Sequence, residues 1–349
     1  MEDKIILDIN NLYINFKNGS DIIRAVDGIN ITLYKGKTTT IIGESGSGKS
    51  QTVLAILGLT DGQPGIVSGS INFNYHNLLE NIPLFKSTNK NEYKKLDKWF
   101  HNQQKIFKKI RGKEIALIFQ DARASLIPYY SIKEQAWETW KKNNSNNEKL
   151  FLDRIFHLSK SLAFENIERI LSSYPNQLSG GEAQRAYILL SLLGNPELVI
   201  ADEPTSSLDP STSKSIIRLL VDLSKEENFS LLIISHDLGQ VLSISDSIYV
   251  FLKGSIVEEL MIDDKDIILP KHPYTRFLLS MAEGKAFREL RVNKSIKRGN
   301  INTTIKGCPY ANNCSLKYEK DEKFKSKCEE LKPDLKKVHQ GKVACWFYE

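Results

Sequence analysis

Residues 38–59 read TTTIIGESGSGKSQTVLAILGL, and three patterns succeed one another within them. Thr38 to Ile42 has the composition of a buried strand, the next residues form a glycine-rich turn, and the remainder has the pattern of a helix. Gly43, Gly48, Lys49 and Ser50 satisfy G-x-x-x-x-G-K-S/T in that strand-to-helix setting, which is a phosphate-binding P-loop. Glycines there let successive backbone N–H groups turn inward around phosphate oxygens, at the positive end of the following helix. Gly43, Glu44, Ser45, Gly46, Ser47, Gly48, Lys49, Ser50 and Gln51 are therefore the candidate ATP cradle. Lys49 is placed to reach the β- and γ-phosphates and Ser50 to ligate Mg2+.

A second element fits the first. In LVIADEP, residues 198–204, an apolar strand ends in Asp202 and Glu203. Asp202 suits the Mg2+ shell of a P-loop NTPase, and Glu203 suits a general base that takes a proton from the attacking water. Kinases, GTPases, helicases and transport ATPases share this grip, so the reaction partner is still open at this point.

Residues 174–190, YPNQLSGGEAQRAYILL, narrow the choice. Glycine costs about 1 kcal/mol relative to alanine inside a helix, so a glycine pair at a helix entrance points to a close approach by another group. LSGGE resembles the signature of ABC-type ATPases, and its companions follow in the expected order: Gln120 in IFQD, Asp202 and Glu203, Asp209 at the end of SSLD, and His236 in ISHD. The resemblance implies an α/β fold, the ABC-type nucleotide-binding domain of the P-loop NTPases, with a RecA-like core, an antiparallel β subdomain and a helical subdomain. It also implies that Ser179, Gly180, Gly181 and Glu182 close over ATP held by a partner subunit. By the same resemblance Gln120 joins Ser50 and Asp202 at Mg2+ and the attacking water, His236 contacts the γ-phosphate, and Asp209 communicates between the two sites. Phe16 in LYINF resembles the residue that stacks on adenine, with Tyr13 as competitor. Two departures stand out: Glu182 where Gln or Met is usual, and Ala122 where Pro is common.

Segments beyond the ATPase motifs resemble the ATP-binding subunits of oligopeptide, dipeptide and nickel importers: SGSINF, IFQDARASLIP, YPNQLSGGEAQR and HPYTRFLL. Peptide uptake is the reading this favours, with nickel or a metal chelate as the alternative cargo. The resemblance implies a heterodimer with a second related ATPase, two transmembrane permeases, an extracellular or periplasmic binding protein, and a peripheral place on the cytoplasmic face of the bacterial plasma membrane. A soluble ABC ATPase acting on nucleic acid is the reading from another class. The HPYT segment and the cysteine tail speak against it, and nucleic acid is not an expected partner.

All four cysteines lie at the end of the chain, Cys308, Cys314, Cys328 and Cys345, with gaps of 5, 13 and 16 residues. This is looser than paired C-x2-C zinc motifs and suggests a local metal or disulfide module. The resemblance favours a 4Fe–4S cluster; Zn2+ or no metal stay open, and His339 is expected to pack nearby, with substitution as a ligand the alternative.

Composition bounds these readings. With 349 residues and 41% hydrophobic content the chain can bury a real core, and a net charge of +6 permits anionic partners without requiring them. The first ten residues, MEDKIILDIN, lack the features of a signal peptide, and no apolar run is long enough to span a bilayer, so any membrane contact is expected to be peripheral. The expected domains are an ATPase domain over 1–262, with a helical subdomain at about 122–195 and a lysine-rich helix-loop insertion at 76–113, and a C-terminal extension over 263–349 carrying the four cysteines.

Overall fold

The computed structural model describes residues 4–18, 21–60, 64–74, 76–79, 101, 103–144, 146–262, 270–282, 306–319, 321–339 and 341–348. In chain order the elements begin with β1 (Ile5–Asn18), β2 (Asp21–Tyr34), β3 (Thr38–Gly43), α1 (Lys49–Ile56), β4 (Pro64–Phe73) and β5 (His76–Leu79). A helix α2 over 103–110 leads into β6 (Ile115–Ile118). Then come α3 (Ala122–Ser125), α4 (Ile132–Asn143), α5 (Glu148–Ser161), α6 (Ile167–Ser172) and α7 (Gly180–Leu192). Strands and helices alternate next: β7 (Leu198–Asp202), α8 (Pro210–Glu226), β8 (Ser230–Ser235), α9 (Leu238–Val241), β9 (Ser247–Leu252) and β10 (Ser255–Met261). The tail adds α10 (Pro273–Ala282), α11 (Glu322–Glu330), β11 (Lys336–Val338) and β12 (Gly341–Val343).

The chain divides into two compact units. One comprises Met1–Ile6, Tyr34–Thr38 and Lys105–Ile234. Its β6, β7 and β8 run parallel, with Ile115 opposite Leu198 and Leu198 opposite Ser230. Strands covered on both faces read as continuous apolar runs, which is how IALI, LVIAD and SLLIIS look. Its helices start where the sequence supplies caps: Ser131 with Glu134 forms a capping box for α4, and the Asn147 and Asn166 side chains cap α5 and α6. Trp137 and Trp140 of α4 pack on Phe151 of α5, with ring centroids 5.1 and 6.1 Å apart. Glu227, just past α8, binds Arg154 and His157 of α5, each at 2.7 Å.

The other unit comprises Leu7–Leu33, Thr39–Gln104 and Ser235–Glu349. One sheet has the order β2-β1-β4-β5, and a second places β3 parallel to β9, then β10, β12 and β11 antiparallel. The β9–β10 hairpin turns at Lys253 and Gly254, as their sequence predicts; φ values of 47° and 83° suit the tight turns that match strand twist.

The lysine-rich insertion starts differently from the expected helix and loop. Its first residues form β5: His76, Asn77 and Leu79 pair with β4, and Leu78 and Leu79 are fully buried. The helical part is present as 103–110, and residues 80–100 lie outside the described residues.

Phe151 is 1% exposed between two tryptophans, so Phe151→Ala should cost about 3–5 kcal/mol in urea unfolding followed by tryptophan fluorescence. A loss below about 1 kcal/mol would mean that α4 and α5 do not rely on this contact.

Candidate functional site

The P-loop is held by backbone crowding. A Cβ on Gly43 would lie 2.3 Å from the Phe251 carbonyl oxygen, and one on Gly48 would lie 2.4 Å from that of Ala25. Gly46 has open space on its Cβ side and is demanded only by its φ of +77°. Gly254 N–H donates to the Ser47 carbonyl at 2.9 Å and fastens the loop to the β9–β10 turn. Helix α1 begins at Lys49 with no side-chain cap, so its first N–H groups remain available to an anion. Lys49 is buried and its ammonium donates to the Gly43 and Glu44 carbonyls, both at 2.9 Å. Ser47 Oγ and Gln51 Oε1 are buried without a hydrogen-bond partner, and Ser50 is exposed beside them. Buried polar atoms normally find partners. An uncapped helix start beside unpartnered polar atoms and an ammonium has the chemistry that suits a phosphate with its Mg2+.

Phe16 lies at the end of β1, half-buried and opposite Pro64. Tyr13 is otherwise engaged: Arg24 sits over its ring at 6.0 Å, and its hydroxyl fills the space that a Cβ on Gly28 would need. His236 is exposed directly after β8.

In the first-described unit, Asp202 ends β7, and the next residue, Glu203, has φ +45°. That is an uncommon conformation for a non-glycine residue, held by the Glu203 N–H donating to Ile234 at 3.0 Å. Gln120 is exposed two residues after β6.

Helix α7 opens on the glycine pair. Ser179 Oγ accepts from the Glu182 N–H at 3.3 Å, and the Glu182 carboxylate accepts from the Ser179 N–H at 2.8 Å, a reciprocal capping box. Arg169 pairs with the same carboxylate. Capping and this charge hold the Glu182 carboxyl below its ordinary range. A Cβ on Gly180 would come 3.3 Å from Leu208, a tight fit; one on Gly181 would make an ordinary 3.5 Å contact with Thr212. Neither glycine has positive φ. Asp209 caps α8, with one carboxylate oxygen accepting from Ser211 N, Thr212 N and Ser211 Oγ at 3.1, 3.1 and 2.6 Å.

The family model described as ABC transporter matches residues 26–206. The oligopeptide transport ATP-binding protein AppD of Bacillus subtilis is 34% identical over 99% of this chain and 97% of its own length. The dipeptide transport ATP-binding protein DppD of Haemophilus influenzae is 35% identical over 97% of this chain and 94% of its own. The chain belongs to the ABC transporter family. A solved structure described as a dimeric bacterial ABC transporter cassette, MJ0796, superposes with a TM-score of 0.58 at 26% identity, covering 74% of this chain and 99% of that one. These likenesses identify the α/β architecture as the ABC ATPase fold. Among the described residues no helix is long and apolar enough to cross a membrane.

This ABC chain carries one further cluster. Cys308, Cys314, Cys328 and Cys345 line one small pocket with His272, Pro273, Ala311, Leu316, Lys317, Phe324, Trp346 and Phe347. All four are free thiols. Burial pushes the Cys308 thiol up to about 12 and that of Cys345 to about 11, and it also raises Cys314 and Cys328. As placed, no three His, Cys, Asp or Glu side chains among the described residues stand in metal-holding geometry. By donor type alone, four thiols lining one pocket suit a soft, thiolate-preferring group. His339 is exposed and does not line it. Sequence reasoning missed Glu258, buried in β10, which binds the backbone of Lys271 and His272. The adjacent Glu258 and Glu259 in the otherwise apolar SIVEELM run were the available signal.

The bonds that cap α8 hold the Asp209 carboxyl well below its usual range. Its contribution is therefore complete above the unfolded value of about 4 and is lost as pH falls below it. Amide exchange at Ser211 and Thr212 should lose protection on acidification through that range. Asp209→Asn, which keeps the accepting oxygen without the charge, should remove the dependence.

Proposed function

We propose that this chain is an ATP-binding and ATP-hydrolysing subunit of an importer that takes up oligopeptides or dipeptides across the bacterial plasma membrane. The peptide transport ATP-binding proteins that match nearly the whole chain support this reading. The P-loop cradle supplies the grip, with Lys49 moving from the loop carbonyls to the phosphates. Mg2+, when bound, neutralises phosphate charge; Ser50, Asp202 and Gln120 would hold it directly or through water. Phe16 stacks on adenine. Glu203 accepts the proton of the water that attacks the γ-phosphorus as the bond to the bridging oxygen breaks and ADP leaves. His236 orders that water.

The observation that carries the reading is Gly181. It needs no positive φ and has ordinary space for a Cβ, so nothing among the described residues demands glycine. The demand comes from outside: the exposed start of α7 closes on ATP held by a second, related ATPase, and Ser179 donates its hydroxyl proton to the γ-phosphate. ATP binding then favours the closed dimer and hydrolysis releases it, which drives two permeases between inward and outward access. A separate binding protein delivers the peptide. The chain sits on the cytoplasmic face of the membrane through the permeases. In the same reading Cys308, Cys314, Cys328 and Cys345 hold one soft group, a 4Fe–4S cluster or Zn2+, which orders the tail.

Two substitutions test this. Gly181→Ala should leave thermal stability unchanged or raise it by up to about 1 kcal/mol, because alanine is the better helix former. It should nevertheless abolish ATP-dependent pairing with the partner subunit, measured by light scattering; normal pairing would overturn the bridging role. Glu203→Gln should bind ATP with wild-type affinity and hydrolyse it about 100-fold or more slowly, with turnover at the wild-type rate removing Glu203 from the role.

A further inference from the structure

The ring of His272 has two nitrogens in different surroundings. Its backbone is fixed first: the Glu258 carboxylate accepts from the Lys271 N–H at 2.5 Å and from the His272 N–H at 3.1 Å. The side chain folds back so that Nδ1 accepts from the Tyr274 N–H at 3.1 Å. A nitrogen that accepts a hydrogen bond carries a lone pair, so the ring is neutral and its proton is on Nε2. Nε2 faces Cys308 Sγ at 4.0 Å. Tyr310 lies edge-on to the ring at 6.0 Å, and the residue is 1% exposed. Turning the ring over would give up the bond from Tyr274 inside a packed site.

Cys308 is equally fixed. Its N–H donates to the Cys328 carbonyl at 2.8 Å, and the preceding residue must be glycine, because a Cβ on Gly307 would lie 2.3 Å from the Glu329 carbonyl oxygen and 2.4 Å from that of Cys328. Two rigid backbones therefore bring an N–H donor and a sulfur together at the wall of the four-cysteine pocket.

We infer that His272 is a positioning residue of this pocket, its Nε2–H donating to the Cys308 sulfur and orienting that sulfur toward a thiolate-bound metal or iron–sulfur group. It is a donor to a ligand and not itself a ligand, since the nitrogen facing the pocket carries the proton. An N–H···S bond draws charge from a thiolate, which favours the more reduced state of an iron–sulfur group, and it stabilises thiolate over thiol, which favours the bound state of a divalent cation. A histidine needed only to accept from Tyr274 would be replaceable by asparagine. The far nitrogen is the part that the pocket uses.

This inference rests on the reading that the four cysteines hold one group, and the experiment separates the two. The full-length chain is loaded anaerobically, in one arm with Fe2+ and sulfide and in the other with Co2+ standing in for Zn2+. A chain with all four cysteines changed to serine is the control for the reading. His272→Asn keeps an acceptor for the Tyr274 N–H and removes the donor to sulfur, and His272→Gln presents an amide N–H at the reach of Nε2. In the iron arm, His272→Asn should load to wild-type stoichiometry with a more negative midpoint potential, and His272→Gln should lie near wild type. In the cobalt arm, His272→Asn should bind about 10- to 100-fold more weakly. Near-ultraviolet circular dichroism and ATP binding confirm that the variants are folded. Wild-type potential and wild-type affinity in His272→Asn would overturn the inference alone. Uptake of neither group beyond the four-serine control would overturn the four-cysteine reading and the inference with it.

Discussion

Two backbone carbonyls leave no room for side chains at the P-loop, and the candidate ATP site depends on that crowding. Phe251 of β9 closes the space at Gly43, and Ala25 of β2 closes it at Gly48. Any Cβ at either position must push backbone against backbone, which flexible side chains cannot absorb. The turn thus keeps its N–H groups inward, α1 starts without a side-chain cap, and Lys49 is left satisfying carbonyls of its own loop. A bound triphosphate would exchange those ammonium–carbonyl bonds for contacts in which both partners are charged. The loop is preorganised, so little ordering is left to be done when the ligand arrives.

The three small residues at the start of α7 have three separate explanations. Ser179 caps the helix by accepting from Glu182, which leaves its own hydroxyl proton free to be donated elsewhere. Gly180 is tight against Leu208, and for Gly181 the described residues supply no such reason. Glu182, the departure from the usual Gln or Met, completes the capping box as Gln would. It also places a negative charge at a helix terminus proposed to meet phosphate. Arg169 pairs with that charge and reduces the repulsion. The substitution is consistent with a working signature because its cost is met locally.

Features set by local backbone demands were legible in the sequence. The P-loop, the strand ending at Asp202 and the turn at Lys253–Gly254 each leave a mark within a few residues, as glycines at fixed offsets or apolar runs cut off by charge. Features set by distant partners were not. β11 and β12, KKV and GKV, are short and polar, and they are strands only because β12 pairs with β10 and β11 pairs with β12. Likewise β5 hides in a lysine-rich segment until β4 is there to cover Leu78 and Leu79. The packing of Tyr13 against Gly28 and Arg24, which follow it in the chain, was also not legible in sequence.

The same reasoning explains why the HPYT segment carried no role when read alone. Its histidine and tyrosine acquire meaning only from Glu258, whose carboxylate sits 1% exposed in β10 and is raised in pKa by that burial. Burying a carboxyl is costly unless hydrogen bonds compensate, and the Lys271 and His272 amides do so. The segment then has one allowed path. Along it, Tyr274 enters the core cluster that contains Ile42, the residue before Gly43, and against which Cys308 and Cys314 pack. Burial, and then the Glu44 carboxylate, raise the Tyr274 hydroxyl pKa. Interiors are packed at crystal density, so neighbours in one cluster cannot change volume independently. The strand that leads into the phosphate cradle and the sulfurs of the tail are thus parts of one packed body.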